Sequence, residues 1–379
     1  MPSSPPTPPT VAALLTSLGQ GGIAVLHMVG PRAFELLAQV FHPRTPSPLV
    51  PDARRLLYGH IVEDGEVVDE VLVRLIPGMD PMAEVNCHGG VVAVQRVLDC
   101  FVRRGAEAVE PEALIERRAR SRIEAEAALA LVQATTALGV ETLLDQLHGA
   151  LDAALRAVPW DDPSAAAAAL RRLLASERLG RALWQPPVVA IVGPANSGKS
   201  TLFNALAREE RMIVSPVPGT TRDAVSAEVA IGGLPVWLTD TAGEREPASA
   251  IEVAAQARSR SAAAGAALVV LLLDGSEPLP CPIAPAGAVP RLVVLNKADL
   301  GPAPWANEMP DAIRISAERG DGLEALFRRI VESLVGEASY EPARPVVFTE
   351  AQAAALQQAL KALEAGDASK ARALVEAYA

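Results

Sequence analysis

The chain has 379 residues, half of them hydrophobic but only 3% aromatic, and its 45 acidic and 34 basic residues leave a formal net charge of −11. A chain of this length exceeds one ordinary hydrophobic core, so we expect two or three domains. The acidic balance excludes a general nucleic-acid-binding protein and confines any RNA contact to a local basic patch.

The first third of the chain predicts a small α+β domain. Residues 1–10 hold five prolines and are expected to form a disordered tail. Between residues 11 and 112, apolar patterns predict strands at 22–29, 56–63 and 67–76 and helices at 32–41 and 91–104. Asp64-Gly65 lies between two of these strands and indicates a hairpin turn.

The rest of the chain predicts a helical domain that is interrupted by an α/β domain. Residues 113–185 keep a helical apolar period and end at Pro186-Pro187, which marks a boundary. Strands and helices then alternate across 186–340, which is typical of a mostly parallel sheet with helices on both faces. Residues 341–379 predict the second helical part, with a break at Gly366-Asp367.

Cysteine usage and hydropathy favour a cytoplasmic protein. Cys87, Cys100 and Cys281 are few and scattered, which favours a reducing compartment over a disulfide framework. The N-terminus lacks the basic-then-apolar pattern of a signal peptide. The longest apolar run, 262–273, is broken by Gly265 and is too short to cross a bilayer, so we expect no membrane partner.

The segment 193–200 reads GPANSGKS and fits the phosphate-loop pattern GxxxxGK[ST], between a predicted strand at 188–192 and a predicted helix at 201–207. Such a loop points backbone N–H groups and the positive end of a helix at a polyphosphate. Lys199 would reach the outer phosphates, and the Ser200 hydroxyl would hold Mg²⁺. The candidate phosphate-binding residues are Gly193, Asn196, Ser197, Gly198, Lys199, Ser200 and Thr201.

Two later segments supply candidate residues for the metal and the γ-phosphate. In the tract GTTRD at 219–223, Thr220 is a nucleotide-binding candidate, and Thr221 is assigned to the Mg²⁺ shell and to sensing the γ-phosphate. Asp240 ends a predicted strand and can bind a water of the Mg²⁺ ion. The Gly243 N–H, three residues on, can face the γ-phosphate.

The tract NKAD at 296–299 predicts the base. The Asp299 carboxylate can accept hydrogen bonds from guanine N1–H and the 2-amino group, whereas adenine offers neither donor and would leave the carboxylate unpaired. Asn296 would brace the loop, and the Lys297 stem would cover the base. The backbone N–H groups of Ser316 and Ala317 can meet guanine O6. Five motifs in this order, each at a strand end, predict a Ras-like P-loop GTPase domain that binds GTP and GDP.

Glu244 stands where Ras-type enzymes carry a water-orienting glutamine, and its carboxylate would repel the γ-phosphate, so hydrolysis needs another group. The chain resembles the MnmE (TrmE) family of tRNA-modifying GTPases across about four-fifths of its length. The tracts that carry the resemblance are GGIAVL at 21–26, YGHI at 58–61, DEVLV at 69–73, NCHGG at 86–90, the helical region 124–147, and DTAG at 240–243 with its following RE and IE pairs.

The resemblance implies a mechanism. It implies G domains that dimerise with K⁺ at their interface in place of an arginine finger, and Asn196 as a K⁺ ligand. It implies Arg222 and Arg245 as helpers near the switch loops, and Glu252 as the residue that orients the attacking water through a second water. It also implies an N-terminal domain that forms homodimers and action on the wobble uridine of tRNA with a partner flavoprotein and a folate one-carbon donor.

Three departures from the family pattern leave alternatives open. The family ends in a helix carrying Cys-Ile-Gly-Lys, whereas no cysteine follows Cys281 here; residues 76–81 lack the family's paired acids; and His27 replaces its usual arginine. We therefore expect the folate pocket to be altered or lost. The alternatives are a regulatory or switch GTPase that no longer modifies tRNA, and a nucleotide-binding scaffold if Glu252 is misplaced.

A basic cluster lies near the start of the predicted helical domain. It could touch RNA phosphates, although such a run is more often a solvated helix face. Its members are Arg117, Arg118, Arg120 and Arg122.

Overall fold

The structure, a computed structural model, describes residues 8–17, 19, 21–45, 48–209, 225–240, 265–278, 289–336 and 341–378. The chain forms two compact units, Met1–Arg120 and Ser121–Ala379. The boundary predicted after residue 112 falls inside a helix of the first unit, Pro111–Arg118. The division of the second unit into helical and G domains stays a prediction.

The first unit is built on a seven-stranded sheet in the order β3-β4-β5-β6-β2-β1-β7. All neighbouring strands are antiparallel except the parallel pair β1 and β7. The side chains of one sheet face pack with helices α1 and α2 into an apolar core. The strands are β1 (Val11–Leu14), β2 (Ile23–Val29), β3 (Phe41–Pro43), β4 (Asp52–Glu63), β5 (Glu66–Ile76), β6 (Met82–His88) and β7 (Glu107–Ala108), and the helices are α1 (Ala33–Ala38), α2 (Val91–Arg103) and α3 (Pro111–Arg118).

Most elements predicted for this unit are present, with two differences. The hairpin between β4 and β5 is confirmed, since Asp64 and Gly65 both have positive φ, 49° and 85°. The helix predicted at 32–41 ends at Ala38, because the chain then forms β3 against β4. Strands β1, β3, β6 and β7 were not predicted.

The second unit begins and ends with helices that share one core. Their starts carry side-chain caps: Ser121 accepts a hydrogen bond from Glu124 N, Asp162 from Ser164 N, and Thr349 forms a capping box with Gln352. These helices are α4 (Arg122–Gln133), α5 (Ala137–Leu147), α6 (Ala150–Arg156), α7 (Pro163–Leu174), α11 (Glu350–Glu364) and α12 (Ala368–Glu376). A further helix, α8 (Glu177–Ala182), follows α7. The predicted break at Gly366-Asp367 is confirmed.

Between α8 and α11 lies a six-stranded sheet in the order β13-β12-β11-β8-β10-β9. Neighbouring strands are parallel except the edge strand β9, which is antiparallel to β10. Helix α8 packs into the same core as this sheet. The strands are β8 (Val188–Val192), β9 (Val225–Ile231), β10 (Leu234–Asp240), β11 (Leu268–Asp274), β12 (Arg291–Asn296) and β13 (Ile313–Arg314), and the helices of this segment are α9 (Lys199–Glu209) and α10 (Leu323–Val335).

Two arginines of the basic cluster at 117–122 form contacts within the protein. Arg117 donates to Asp80 at 2.8 and 2.9 Å and to the Pro9 carbonyl at 2.6 Å. Arg122 donates to Glu126 and stacks on the Tyr378 ring. These contacts favour a structural role for both arginines over RNA binding. Within the described ranges, every helix is too short or too polar to traverse a lipid bilayer.

Candidate nucleotide site

The carboxyl edge of the second sheet gathers most of the predicted nucleotide-binding residues. Strand β8 lies at its centre with β10 and β11 parallel on either side, so the loops that leave these strands meet at one edge. The phosphate loop follows β8, and Asn296 ends β12. Asp240 ends β10 in register with Ile191.

Two glycines shape the phosphate loop. Gly193 has φ 157°, and a Cβ there would lie 2.1 Å from the Leu272 carbonyl oxygen. Gly198 has φ 94°, and a Cβ there would lie 2.2 Å from Asn296 Nδ2. Asn196 between them is exposed and adopts the left-handed conformation at φ 63°. Only glycine allows this close approach, which leaves the loop backbone open toward a ligand.

Asn296 joins the phosphate loop to the loop after β13. Its side chain is buried, with 3% of the residue surface exposed. Its Nδ2 donates to the Ser197 carbonyl at 2.8 Å, and its Oδ1 accepts from the Ala317 N–H at 2.9 Å. One amide side chain thus sets the distance between the predicted phosphate site and the predicted base site.

Lys199 is the first residue of α9, and its side chain contacts the phosphate loop that precedes the helix. Its Nζ donates to the Gly193 carbonyl at 3.1 Å and to the Pro194 carbonyl at 2.8 Å. The buried Ser197 Oγ has no hydrogen-bond partner among the residues that the structure describes. Glycine-lined backbone, a lysine ammonium and an unpaired hydroxyl form a donor set that fits a polyphosphate. Ser200 and Thr201 follow on the first turn of α9, where Ser200 is an exposed residue whose hydroxyl could hold Mg²⁺.

Two acids stand beside the predicted base site. The Ser316 hydroxyl holds the pKa of Asp299 below its usual range, with burial opposing and Arg319 at 3.6 Å assisting. Asp274, at the end of β11, contacts Lys297 Nζ at 2.6 Å. Burial would raise the pKa of Asp274, but its hydrogen bonds to Lys297 and Ser276 outweigh burial and lower it. Both carboxylates are therefore charged at neutral pH.

The two backbone N–H groups that were predicted to contact guanine O6 already donate to acceptors within the protein. The Ser316 N–H donates to the Asp321 carbonyl at 2.9 Å, and the Ala317 N–H donates to Asn296. Either amide would have to share its hydrogen with O6 or give up a protein acceptor. This contact stays a prediction.

The remaining predicted site residues lie outside the described residues or are described only in part. The structure gives the backbone position of Asp240 in β10. Those outside are Thr220, Thr221, Arg222, Gly243, Arg245 and Glu252. Asp274 and Arg319 were not predicted. The signal for Asp274 was available, since an aspartate ends an apolar strand immediately before Gly275.

The first unit carries a second cluster of polar residues on the open face of its sheet. Glu84 lies between Arg74 at 2.5 Å and His27 at 3.5 Å. Among the described residues, the buried His27 Nδ1 and Arg74 Nε atoms have no hydrogen-bond partner. A cavity of about 360 Å³ opens beside Arg74 and Glu84 and is also lined by Arg54 and Leu56. The expected alteration or loss of the folate pocket stays a prediction.

Comparison with known proteins identifies both parts of the chain. The family model described as GTP-binding protein TrmE N-terminus matches residues 10–118, and that described as 50S ribosome-binding GTPase matches residues 188–297. Among solved structures, Aquifex aeolicus Era bound to GDP and aluminium fluoride matches 41% of this chain and 58% of its own at 27% identity, with a TM-score of 0.28.

Curated relatives match over nearly the whole chain. The tRNA modification GTPase MnmE of Chloroflexus aurantiacus is 33% identical over 86% of this chain and 82% of its own. The protein of the same name from Moorella thermoacetica is 33% identical over 94% and 90%, and that from Synechococcus is 36% identical over 86% and 82%. The chain is therefore a GTPase that belongs to the MnmE (TrmE) family of tRNA modification GTPases.

Proposed function

We propose that this GTPase binds GTP and Mg²⁺ at the carboxyl edge of the second sheet and hydrolyses GTP in a K⁺-stimulated reaction that dimerisation of its G domains activates. The observation that carries the nucleotide site is the bridge made by Asn296 between Ser197 and Ala317. A phosphate loop and a guanine loop held at one separation suit a single nucleotide that spans both.

The described residues have distinct roles in this proposal. The loop backbone between Gly193 and Gly198 and the Lys199 ammonium bind the β- and γ-phosphates. Asp299 accepts from guanine, with its charge maintained by Ser316. Mg²⁺ at Ser200, completed by Thr221 and by water bound to Asp240, would supply positive charge beside the phosphates.

K⁺ is proposed as the positive charge that an arginine finger provides elsewhere. Asn196 is placed to take part because it is exposed at the crest of the loop, with its backbone in the left-handed region. A fixed monovalent cation stabilises charge that develops on the transferred phosphoryl group. Glu252 is proposed to orient the attacking water, and Arg222 and Arg245 to assist near the phosphates.

The cellular role proposed is modification of the tRNA wobble uridine, in a cytoplasmic homodimer with a flavoprotein partner. Its support is family membership, since the relatives are named tRNA modification GTPases.

Steady-state hydrolysis in KCl and NaCl, at several protein concentrations, tests the catalytic proposal. We expect a higher rate in KCl that rises with protein concentration, and loss of the KCl advantage in Asn196→Ala. Glu324→Gln is a control, because Glu324 forms an exposed pair with Arg328 on α10, a helix that carries none of the predicted site residues. Equal slow rates in both salts at all concentrations would refute the K⁺-dimer mechanism.

The tRNA role needs a separate measurement. Mass analysis of wobble uridines from a strain lacking this protein should show loss of the modification, and restoration by the wild-type gene but not by Lys199→Ala. Unchanged tRNA in the deletion strain would exclude direct modification and favour the switch GTPase.

A further inference from the structure

Lys297 adopts an unusual backbone conformation at the base site. Its φ is 62°, a left-handed value that costs energy for a residue with a side chain. The conformation places Lys297 between Asn296, which is buried, and the short helical turn Ala298–Leu300, which carries Asp299. The Lys297 side chain has many rotamers, and its stem can lie stably against a base only if a contact restricts it to one of them.

Asp274, at the end of the neighbouring strand β11, holds the Lys297 side chain in one rotamer. Its Oδ2 lies 2.6 Å from Lys297 Nζ. The other oxygen, Oδ1, accepts from Ser276 N at 3.0 Å and from Ser276 Oγ at 2.6 Å, so the carboxylate itself is held in place. Both members of the pair are partly shielded from water, which strengthens a charge-assisted hydrogen bond relative to an exposed pair.

The backbone around Asp274 is tied to the same loop. Asp274 and Asn296 are register partners in the pairing of β11 with β12. The Gly275 N–H donates to the Asn296 carbonyl at 2.9 Å, and the Gly275 carbonyl accepts from Ala303 N at 2.8 Å. Asp274 is therefore part of the sheet edge and does not lie on a separate loop.

A second acid lies within reach of the Lys297 charge. Asp299 is two residues away, and Lys297 is among the groups that lower its pKa. An ammonium released from Asp274 would gain freedom to leave the base face. The contact with Asp274 thus determines where the lysine stem lies.

We propose that Asp274 is a positioning residue for guanine-nucleotide binding, which holds Lys297 through its ammonium so that the lysine stem forms one wall of the base site. This inference rests on the proposed nucleotide site. It adds a residue from β11 to a site otherwise assigned to the loops after β8, β12 and β13.

A double-mutant cycle with the full chain tests the proposal. The variants are Asp274→Asn, Lys297→Met and both together, with affinity for a fluorescent GDP derivative measured at fixed salt and Mg²⁺ concentrations. Asparagine keeps the acceptor for Ser276 and removes the charge. We expect Asp274→Asn to weaken GDP binding by about tenfold, as loss of a hydrogen bond to a charged group does. The same change in the Lys297→Met background should have almost no effect.

Two further variants complete the design. Ser276→Ala removes one hydrogen bond to Asp274 and should weaken binding by a smaller factor, about twofold to threefold. Glu324→Gln removes an equal charge from an exposed pair and should leave binding unchanged. Thermal unfolding of every variant checks that folding is intact.

The outcomes separate this inference from the proposed function. If the wild-type protein bound no guanine nucleotide, the proposed site itself would fail. If the wild-type protein bound GDP and Asp274→Asn bound it equally well, only the positioning role would fail. A tenfold loss that persisted in the Lys297→Met background would also overturn the role, because Asp274 would then act by another route.

Discussion

The two sheets of this protein present polar side chains in different places. In the first unit, β5 and β6 alternate between buried and exposed residues, and the charged side chains of Arg74 and Glu84 lie on the open face. In the second unit, β8 and β11 are buried along most of their length, and polar groups such as Asn296 and Asp274 occur where strands end. A parallel sheet covered on both faces leaves only its edge for chemistry, whereas a sheet with one open face can use that face.

The largest effect that this comparison predicts is at the edge of the second sheet. Asn296→Ala removes the partner of both the Ser197 carbonyl and the Ala317 N–H. Leaving two buried groups unpaired costs about 2–6 kcal/mol in total and frees the two loops from each other, so we expect GDP affinity to fall by about 30-fold or more. Calorimetric titration measures the change. An Asn296→Ala protein that unfolds cooperatively and binds GDP normally would contradict the assigned bridge.

A smaller effect should separate the two faces of the first sheet. Leu57 is 6% exposed and Leu56 is 60% exposed, although they are adjacent in β4. We expect Leu57→Ala to cost about 2–5 kcal/mol of unfolding free energy because it leaves a cavity in the core. Leu56→Ala is the matched control and should change it by less than about 0.5 kcal/mol. Similar losses for both, measured by denaturant unfolding, would show that the outer face is covered.

The sequence predicts the second sheet better than the first for a physical reason. Strands β8 and β12 are continuous apolar runs that lead into motif residues, so both the type and the position of these elements could be predicted. In strand β6, Val85 and Cys87 are buried and Asn86 between them is partly exposed, which is a period-two pattern. Its polar residues and the two glycines that follow it made this strand hard to predict from the sequence. Phe41–Pro43 is a strand only because β4 pairs with it, a contact between distant residues.

Contacts between distant residues also limit what the sequence can predict about the candidate site. The motif residues at strand ends could be named from spacing alone, because parallel strands bring their carboxyl ends to one edge. The pairing of Asp274 with Lys297 depends on the register of β11 with β12, which the sequence does not display. The competition of Asn296 for the Ala317 N–H likewise depends on a side-chain rotamer.

The smallest predicted effect is a difference between two histidines of the first sheet. His88 is exposed, and its Nδ1 lies 2.6 Å from the buried Asp69, which also accepts from the His88 backbone N–H at 2.8 Å. Hydrogen bonding and charge from Asp69 raise the pKa of His88 above 6.5. Burial is the main reason that the pKa of His27 lies below 6.5, although Glu84 opposes it.

These opposite shifts have opposite consequences for stability. The contribution of protonated His88 is complete below pH about 6.5 and is lost as pH rises through its raised pKa. The contribution of neutral His27 is complete above pH about 6.5 and is lost as pH falls through its lowered pKa. An NMR titration should show His88 titrating above His27. Asp69→Asn should bring the pKa of His88 down toward its ordinary value and leave that of His27 unchanged. If Asp69→Asn changed the pKa of both histidines equally, or left the pKa of His88 unchanged, the pairing of His88 with Asp69 would not be the cause of the raised pKa.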